Sequence, residues 1–140
     1  MAADVCGHAD AGATALREAK YAWAGQLRAS GDRDQALKLY KELASDVKTR
    51  EGSEAAYYVI EALFESGDLD KTESEVFAFS DREPNAYWLA KAFLLLGDVY
   101  VRKGDTFQAR ATYQSVADGY SPADDGIVDE AKERIAKLKN

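Results

Sequence analysis

The chain has 140 residues, enough for one ordinary domain, and 46% of them are hydrophobic, enough to build a continuous core. Because 25 acidic residues outnumber 18 basic ones, the formal net charge is −7, and the surface as a whole repels nucleic acid and anionic lipid. No apolar run approaches the roughly 20 residues that a membrane-spanning helix needs. These values exclude nucleic acid as a general partner and direct membrane insertion as a function.

The first segment, residues 1–12, is small in composition and weakly patterned, so we expect a flexible lead-in or a cloning remnant there. It lacks the charged and apolar stretches of a secretory signal. We expect the chain to be a piece excised from a longer protein. If a targeting segment is missing, the periplasm or cell envelope is favoured over the cytoplasm. The single cysteine cannot form an internal disulfide and does not indicate a compartment.

The domain that follows, residues 13–140, consists of helical patterns that pair into hairpins. The three predicted hairpins span approximately residues 13–50, 53–84 and 86–121, and a capping helix is predicted over residues 125–139. In the first hairpin, the helices are expected from Ala13 to Ser30 and from about Arg33 to Lys48. In the second, Ser53 is expected to cap the first helix.

Three Gly-Asp pairs mark the turns of these hairpins, because glycine accepts the left-handed backbone that ends a helix and aspartate caps the next one. The glycines of these pairs are Gly31, Gly67 and Gly104, which are 36 and 37 residues apart. This regular spacing indicates an internal repeat rather than three unrelated hairpins.

The third hairpin has the most specific pattern. Its first predicted helix has the spacing aromatic-x-x-Leu-Gly-x-x-Tyr, formed by Phe93, Leu96, Gly97 and Tyr100. Its second predicted helix has the spacing Ala-x-x-x-aromatic, formed by Ala109 and Tyr113, and Pro122 follows it. The pattern resembles the tetratricopeptide repeat. The resemblance implies an all-α fold: a right-handed α-α superhelix, or solenoid, of about three such hairpins with the capping helix at its C-terminal end. Residues 87–120 are also similar to the last repeats of bacterial cell-envelope tetratricopeptide proteins, including outer-membrane assembly and Tol-system accessory proteins.

The resemblance also implies a function, because the first helices of stacked hairpins line a concave groove that binds peptides or partner proteins. Mapping the groove-facing positions of the family onto this chain selects nine partner-binding candidates: Tyr21, Arg28, Tyr57, Glu61, Phe64, Glu65, Leu94, Asp98 and Arg102. As alternatives, the apolar members pack between repeats and the charged members are solvated surface. Their mixed, net acidic character favours a basic or amphipathic segment as the partner.

Two non-catalytic functions are therefore open: a scaffold or adaptor that uses this groove, and a self-associating structural subunit or the C-terminal part of a larger envelope assembly protein. In the second, the first hairpin with Trp23 and Leu16 forms a homodimer or stacks on further repeats. We predict no enzyme activity, cofactor or metal site. Cys6 and His8 lie close together, but no further Cys or His completes a zinc site, and no phosphate-binding loop is present.

Overall fold

The computed structural model describes residues 2–121 and 125–138, with side chains from residue 11 onward. Within these residues the chain forms seven α-helices and no β-strand. The helices are α1 (Ala2–Ala29), α2 (Arg33–Leu43), α3 (Arg50–Glu65), α4 (Leu69–Asp81), α5 (Ala86–Arg102), α6 (Thr106–Gly119) and α7 (Ile127–Lys137). The predicted all-α fold of repeated helical hairpins is confirmed.

The three predicted turns have the predicted chemistry. Gly31, Gly67 and Gly104 have φ values of +92°, +88° and +80°, a backbone conformation that residues with a Cβ rarely adopt. The aspartate after each glycine caps the next helix, since its side chain accepts a hydrogen bond from a backbone N–H three residues on. Each turn therefore ends one helix and starts the next within a few residues.

The helices stack in chain order. The hairpins α1–α2, α3–α4 and α5–α6 are each in contact internally, and each second helix also contacts the first helix of the next unit. The first helices also touch in series, α1 with α3, α3 with α5 and α5 with α7. Within the described residues, α1 has no contact with α5 or α7, so the stack is open rather than closed into a bundle.

The apolar interior is divided into two clusters. The N-terminal cluster joins the first hairpin to α3 and consists of Ala24, Ala36, Tyr40, Leu43 and Ala55. The larger main cluster extends through α3, α4, α5, α6 and α7 and includes Val76, Leu96, Tyr113 and Ile127. Between α5 and α6, Gly97 faces the ring of Tyr113.

Several predicted boundaries were wrong. The first helix begins at Ala2 rather than Ala13, so residues 2–12, expected as a flexible lead-in, belong to α1; their alanines favour a helix even without an amphipathic pattern. The second helix ends at Leu43, five residues earlier than expected. Pro122 and residue 139 of the predicted cap lie outside the described residues.

The predicted cap at Ser53 was also wrong. Thr49 is the N-cap of α3 and accepts a hydrogen bond from the backbone N–H of Gly52. Ser53 lies inside the helix and is fully buried. Its hydroxyl donates to the carbonyl oxygen of Val47 at 2.6 Å and accepts from the backbone N–H of Asn85 at 2.9 Å. It therefore links the first turn of α3 to the start of α5.

Candidate functional site

The nine predicted partner-binding residues all lie on first helices of the hairpins. Their helices α1, α3 and α5 touch in series and continue into α7, so together they form one continuous surface, which we call the first-helix face. The described side chains that define it are Tyr21, Arg28, Glu54, Glu61, Phe64, Asp98, Arg102 and Arg134.

At the N-terminal end of this face, α1 is bonded to α3. The hydroxyl of Tyr21 donates to both carboxylate oxygens of Glu54, at 2.9 and 2.8 Å. Burial, together with this bond and the nearby negative charge, raises the pKa of Tyr21 to about 12, so Tyr21 stays neutral and donating at physiological pH. About two turns further on, the guanidinium of Arg28 lies 3.3 Å from a carboxylate oxygen of Glu61.

At the C-terminal end, Asp98 is bonded from two directions. The hydroxyl of Tyr113 on α6 donates to Asp98, and Nε of Arg134 on α7 lies 3.1 Å from the same carboxylate oxygen. Arg134 also bonds Glu130 at 2.6 Å within its own helix. Asp98 therefore joins α5, α6 and α7, and its charge is neutralised within the chain.

Two of the predicted apolar contacts are not available to a partner. Leu94 is 2% exposed and Tyr57 is 8% exposed, and both belong to the main cluster. For these two residues the alternative of packing between repeats is the correct one. Phe64 is only partly buried, and the guanidinium carbon of Arg102 lies 4.2 Å from the centre of its ring. Glu65 is exposed and pairs with Arg33.

The sequence did not point to an aromatic run that crosses this region. The ring of Tyr58 on α3 lies 4.9 Å from that of Tyr40 and 5.9 Å from that of Trp88 on α5. Arg28 covers the ring of Tyr58 at 3.8 Å. Mapping the groove-facing positions of the family selected Tyr57. It therefore missed Tyr58, the next residue in the chain. Tyr40 is buried, whereas the rings of Tyr58 and Trp88 are partly buried and offer an amphipathic surface beside Arg28.

A cleft of about 320 Å³ lies at the C-terminal end of the first-helix face. We call it the C-terminal cleft, and its lining residues are Phe64, Asp98, Val101, Arg102, Tyr113, Arg134, Lys137 and Leu138. The sequence selected three of these residues, namely Phe64, Asp98 and Arg102. It missed the contribution of α7, although Asp98 and Arg134 have opposite charges and are one repeat length apart. The cleft is open and large enough for one or two side chains.

At the other end of the stack, α1 exposes large apolar side chains. Leu16 is 57% exposed and Trp23 is 55% exposed. Trp23 occupies the same repeat position as Val59 in α3 and Leu96 in α5, which pack into the apolar clusters. Within the described residues no hairpin precedes α1, so this position remains uncovered.

In the described residues, no group of three or more His, Cys, Asp or Glu side chains could hold a metal ion. None of the helices described combines the length and the apolar composition required for a membrane span.

The fold and the first-helix face together define a class of protein, the stacked helical-hairpin repeat proteins. Residues 91–121, which cover most of α5 and α6, match the family model for the tetratricopeptide repeat. The match supports a tetratricopeptide repeat in the hairpin where the sequence pattern was most specific, and such a repeat suggests a protein–protein interaction module. No curated protein matches the chain.

Proposed function

We propose that this protein is a non-catalytic scaffold that binds a peptide or a segment of a partner protein on the first-helix face. The observation that carries the proposal is the open series of first helices, in which α1 touches α3, α3 touches α5 and α5 touches α7, and which includes the hairpin that matches the tetratricopeptide repeat. A surface of this kind fits an extended or helical segment.

The amphipathic character that the sequence favoured for the partner remains part of this proposal. The half-buried rings of Tyr58, Trp88 and Phe64 offer apolar contact. Arg28 lies over the ring of Tyr58, and Arg102 lies over the ring of Phe64. A basic segment has less support than the sequence indicated. Glu61 and Asp98 already pair with cations of this chain, and a basic partner would have to displace those pairs.

Selection from a random-peptide display library, followed by titration calorimetry of the enriched peptides, tests the proposal. The double variant Arg28→Glu with Arg102→Glu reverses two charges on the first-helix face. We expect it to weaken binding by about tenfold or more, the value of one charge-assisted hydrogen bond. The matched control is Lys38→Glu with Lys71→Glu, which reverses two exposed charges on the second helices α2 and α4.

The control should bind like the unaltered protein, and circular dichroism should show that both double variants are folded. Enriched peptides that bind all three proteins equally would contradict the use of this face, and a selection that enriches no peptide would contradict the scaffold function itself.

A second candidate function is self-association through α1, and the exposure of Leu16 and Trp23 specifically favours it. Val59 and Leu96, the repeat equivalents of Trp23, are packed against neighbouring elements. A second copy of the chain that covered α1 would bury Trp23 in the same way. In a longer chain, a preceding hairpin would cover the same surface, as in the envelope assembly proteins that the sequence resembles. The periplasm or cell envelope would be the compartment in that case.

Sedimentation velocity distinguishes this candidate. If α1 forms a homodimer, the unaltered protein sediments as a dimer and Leu16→Glu sediments as a monomer. Ala22→Glu, which introduces the same charge at another exposed position of α1, is the control and should remain dimeric. A monomer at all concentrations for the unaltered protein would contradict self-association and leave the scaffold function standing.

A further inference from the structure

We propose that the C-terminal cleft binds an acidic, apolar segment of a partner protein, with a side-chain carboxylate on Arg102 and Lys137 and a neighbouring apolar side chain against Phe64, Val101 and Leu138. The inference rests on the proposed scaffold function and specifies the chemistry of the partner.

The first step concerns the carboxylates of the first-helix face. Glu54 accepts from Tyr21, Glu61 pairs with Arg28, and Asp98 pairs with Arg134 and accepts from Tyr113. These bonds join neighbouring helices of the stack. The sequence predicted that this negative charge faces a partner, but the carboxylates instead hold neighbouring repeats together.

The second step concerns the cations of the cleft. Arg134 is occupied by Asp98 and Glu130. In contrast, neither Arg102 nor Lys137 has a carboxylate oxygen within 4.0 Å among the residues that the structure describes. The guanidinium of Arg102 lies over the ring of Phe64, and among the described residues no acceptor bonds its N–H groups, so they can bond a ligand. Three cations and one carboxylate line the cleft, so its local charge is positive although the chain as a whole carries −7.

The third step concerns the apolar part of the lining. Val101 is 45% exposed, so its side chain is available for contact with a ligand. Phe64 and Leu138 line the same cleft and are partly buried. A volume of about 320 Å³ accepts an aliphatic or aromatic side chain beside a carboxylate but not a large cofactor.

Charge complementarity selects among possible occupants. A basic segment would place its cations next to Arg102, Arg134 and Lys137, which is unfavourable in a partly desolvated cleft. An apolar segment without charge would leave the N–H groups of Arg102 without an acceptor where it excludes water. An acidic segment with an adjacent apolar side chain meets both requirements.

The test uses fluorescently labelled peptides whose N-termini are acetylated and whose C-termini are amidated. The acidic probe repeats the sequence Asp-Phe-Glu-Leu twice; in the neutral probe Asn and Gln replace the acids, and in the basic probe lysine replaces them. A fourth probe is the neutral peptide with a free C-terminal carboxylate. Fluorescence anisotropy of the intact protein should show binding of the acidic probe at least about tenfold tighter than that of the other three.

Single charge reversals place the binding in the cleft. Arg102→Glu and Lys137→Glu should each weaken binding of the acidic probe by about tenfold, whereas Lys71→Glu, an exposed position on α4, should not change it. Lys137→Glu is the second variant that keeps the test decisive if Arg102→Glu does not fold, because Lys137 lies in the exposed last turn of α7.

The results separate this inference from the scaffold function. Equal or tighter binding of the neutral or basic probe would overturn the inference, as would affinity that is unchanged in Lys137→Glu. Tight binding of only the fourth probe would assign the cleft to a chain terminus and overturn it also. If library-selected peptides still bind the first-helix face in those cases, and lose affinity with Arg28→Glu, the scaffold function stands without the acidic specificity.

Discussion

At the scale of single residues, the distance between α5 and α6 depends on Gly97. A Cβ at this position would lie 2.2 Å from Cε1 and 2.5 Å from Cδ1 of the Tyr113 ring. Tyr113 is 2% exposed, and its hydroxyl is bonded to Asp98, so the ring can move aside only by disturbing its packing or this bond.

We therefore predict that Gly97→Ala destabilises the protein by about 1–3 kcal/mol, the usual cost of inserting atoms into a packed core. Urea unfolding followed by circular dichroism measures this difference. Gly25→Ala is the matched control, since Gly25 is inside α1 and a Cβ there meets no atom within 4 Å. That substitution should stabilise by roughly 0.5–1 kcal/mol, because alanine favours the helix over glycine. Equal effects at the two glycines would contradict the close contact.

A second prediction concerns Ser53, whose hydroxyl is bonded on both sides within the protein. Ser53→Ala leaves the carbonyl of Val47 and the N–H of Asn85 without this partner, so we expect a loss of about 1–3 kcal/mol in the free energy of unfolding. Ser115→Ala, which removes a hydroxyl from an exposed position of α6, should change it by less than about 0.5 kcal/mol. Chemical denaturation of the two variants provides the comparison, and a neutral Ser53→Ala would show that water can replace the hydroxyl.

The sequence indicated which helices carry the candidate residues but not whether their side chains are available to a partner. Mapping the groove-facing positions of the family placed Arg28, Glu61 and Asp98 on first helices, where they are found. It could not show that Glu61 and Asp98 are paired, because each partner lies about one repeat away and pairing depends on how the helices stack. The burial of Leu94 could not be predicted either, because it also depends on how the helices stack. Whether this position of α5 faces the groove or the interior is decided by the tilt of the helix.

At the scale of helices and turns, local chemistry explains which boundaries were predicted. The Gly-Asp turns were found because both residues act within the turn itself. The early end of α2 was missed because the residue that bonds the carbonyls directly after this helix is distant in sequence. Arg82, at the end of α4, donates from Nη2 to the carbonyl oxygens of Ala44 at 2.7 Å and Ser45 at 3.1 Å.

The packing of α4 against α5 leads to a prediction about pH. Glu73 on α4 accepts from the hydroxyl of Tyr100 at 2.6 Å and from Nζ of Lys103 at 3.0 Å. These two hydrogen bonds lower the pKa of Glu73 below its usual value. A carboxyl group with a lowered pKa in the folded state stabilises the fold above its unfolded pKa of about 4.3, and this contribution is lost as the pH falls through the lower folded value.

We therefore expect acid to destabilise the unaltered protein more steeply than Glu73→Gln as the pH falls below about 4.3. The measurement is the free energy of unfolding in urea at several pH values between neutrality and that region. Glu75→Gln, at an exposed position on the same helix, is the control and should keep the slope of the unaltered protein. Parallel pH profiles for all three proteins would contradict a contribution from the Glu73 bonds.

At the scale of the whole molecule, stability is expected to vary along the stack. Each unit contacts only its neighbours, so the loss of one interface is not compensated by distant elements. The N-terminal cluster is small, consists mainly of alanines, and lies at the open end of the stack. The main cluster instead continues through five helices and is bonded across α5, α6 and α7 by Asp98.

We predict that α1 and α2 open before the rest of the protein unfolds, and native-state hydrogen exchange measures this directly. Amides of α1 and α2 should exchange at a lower free energy than those of α5 and α6. Tyr40→Ala removes the largest side chain of the N-terminal cluster and should lower protection in α1 and α2 while leaving α5 and α6 nearly unchanged. Leu96→Ala, in the main cluster, should lower protection throughout α3 to α7 by about 2–5 kcal/mol. If Tyr40→Ala lowered protection equally in all seven helices, the protein would unfold as one cooperative unit, and the stack would not behave as a series of neighbouring interfaces.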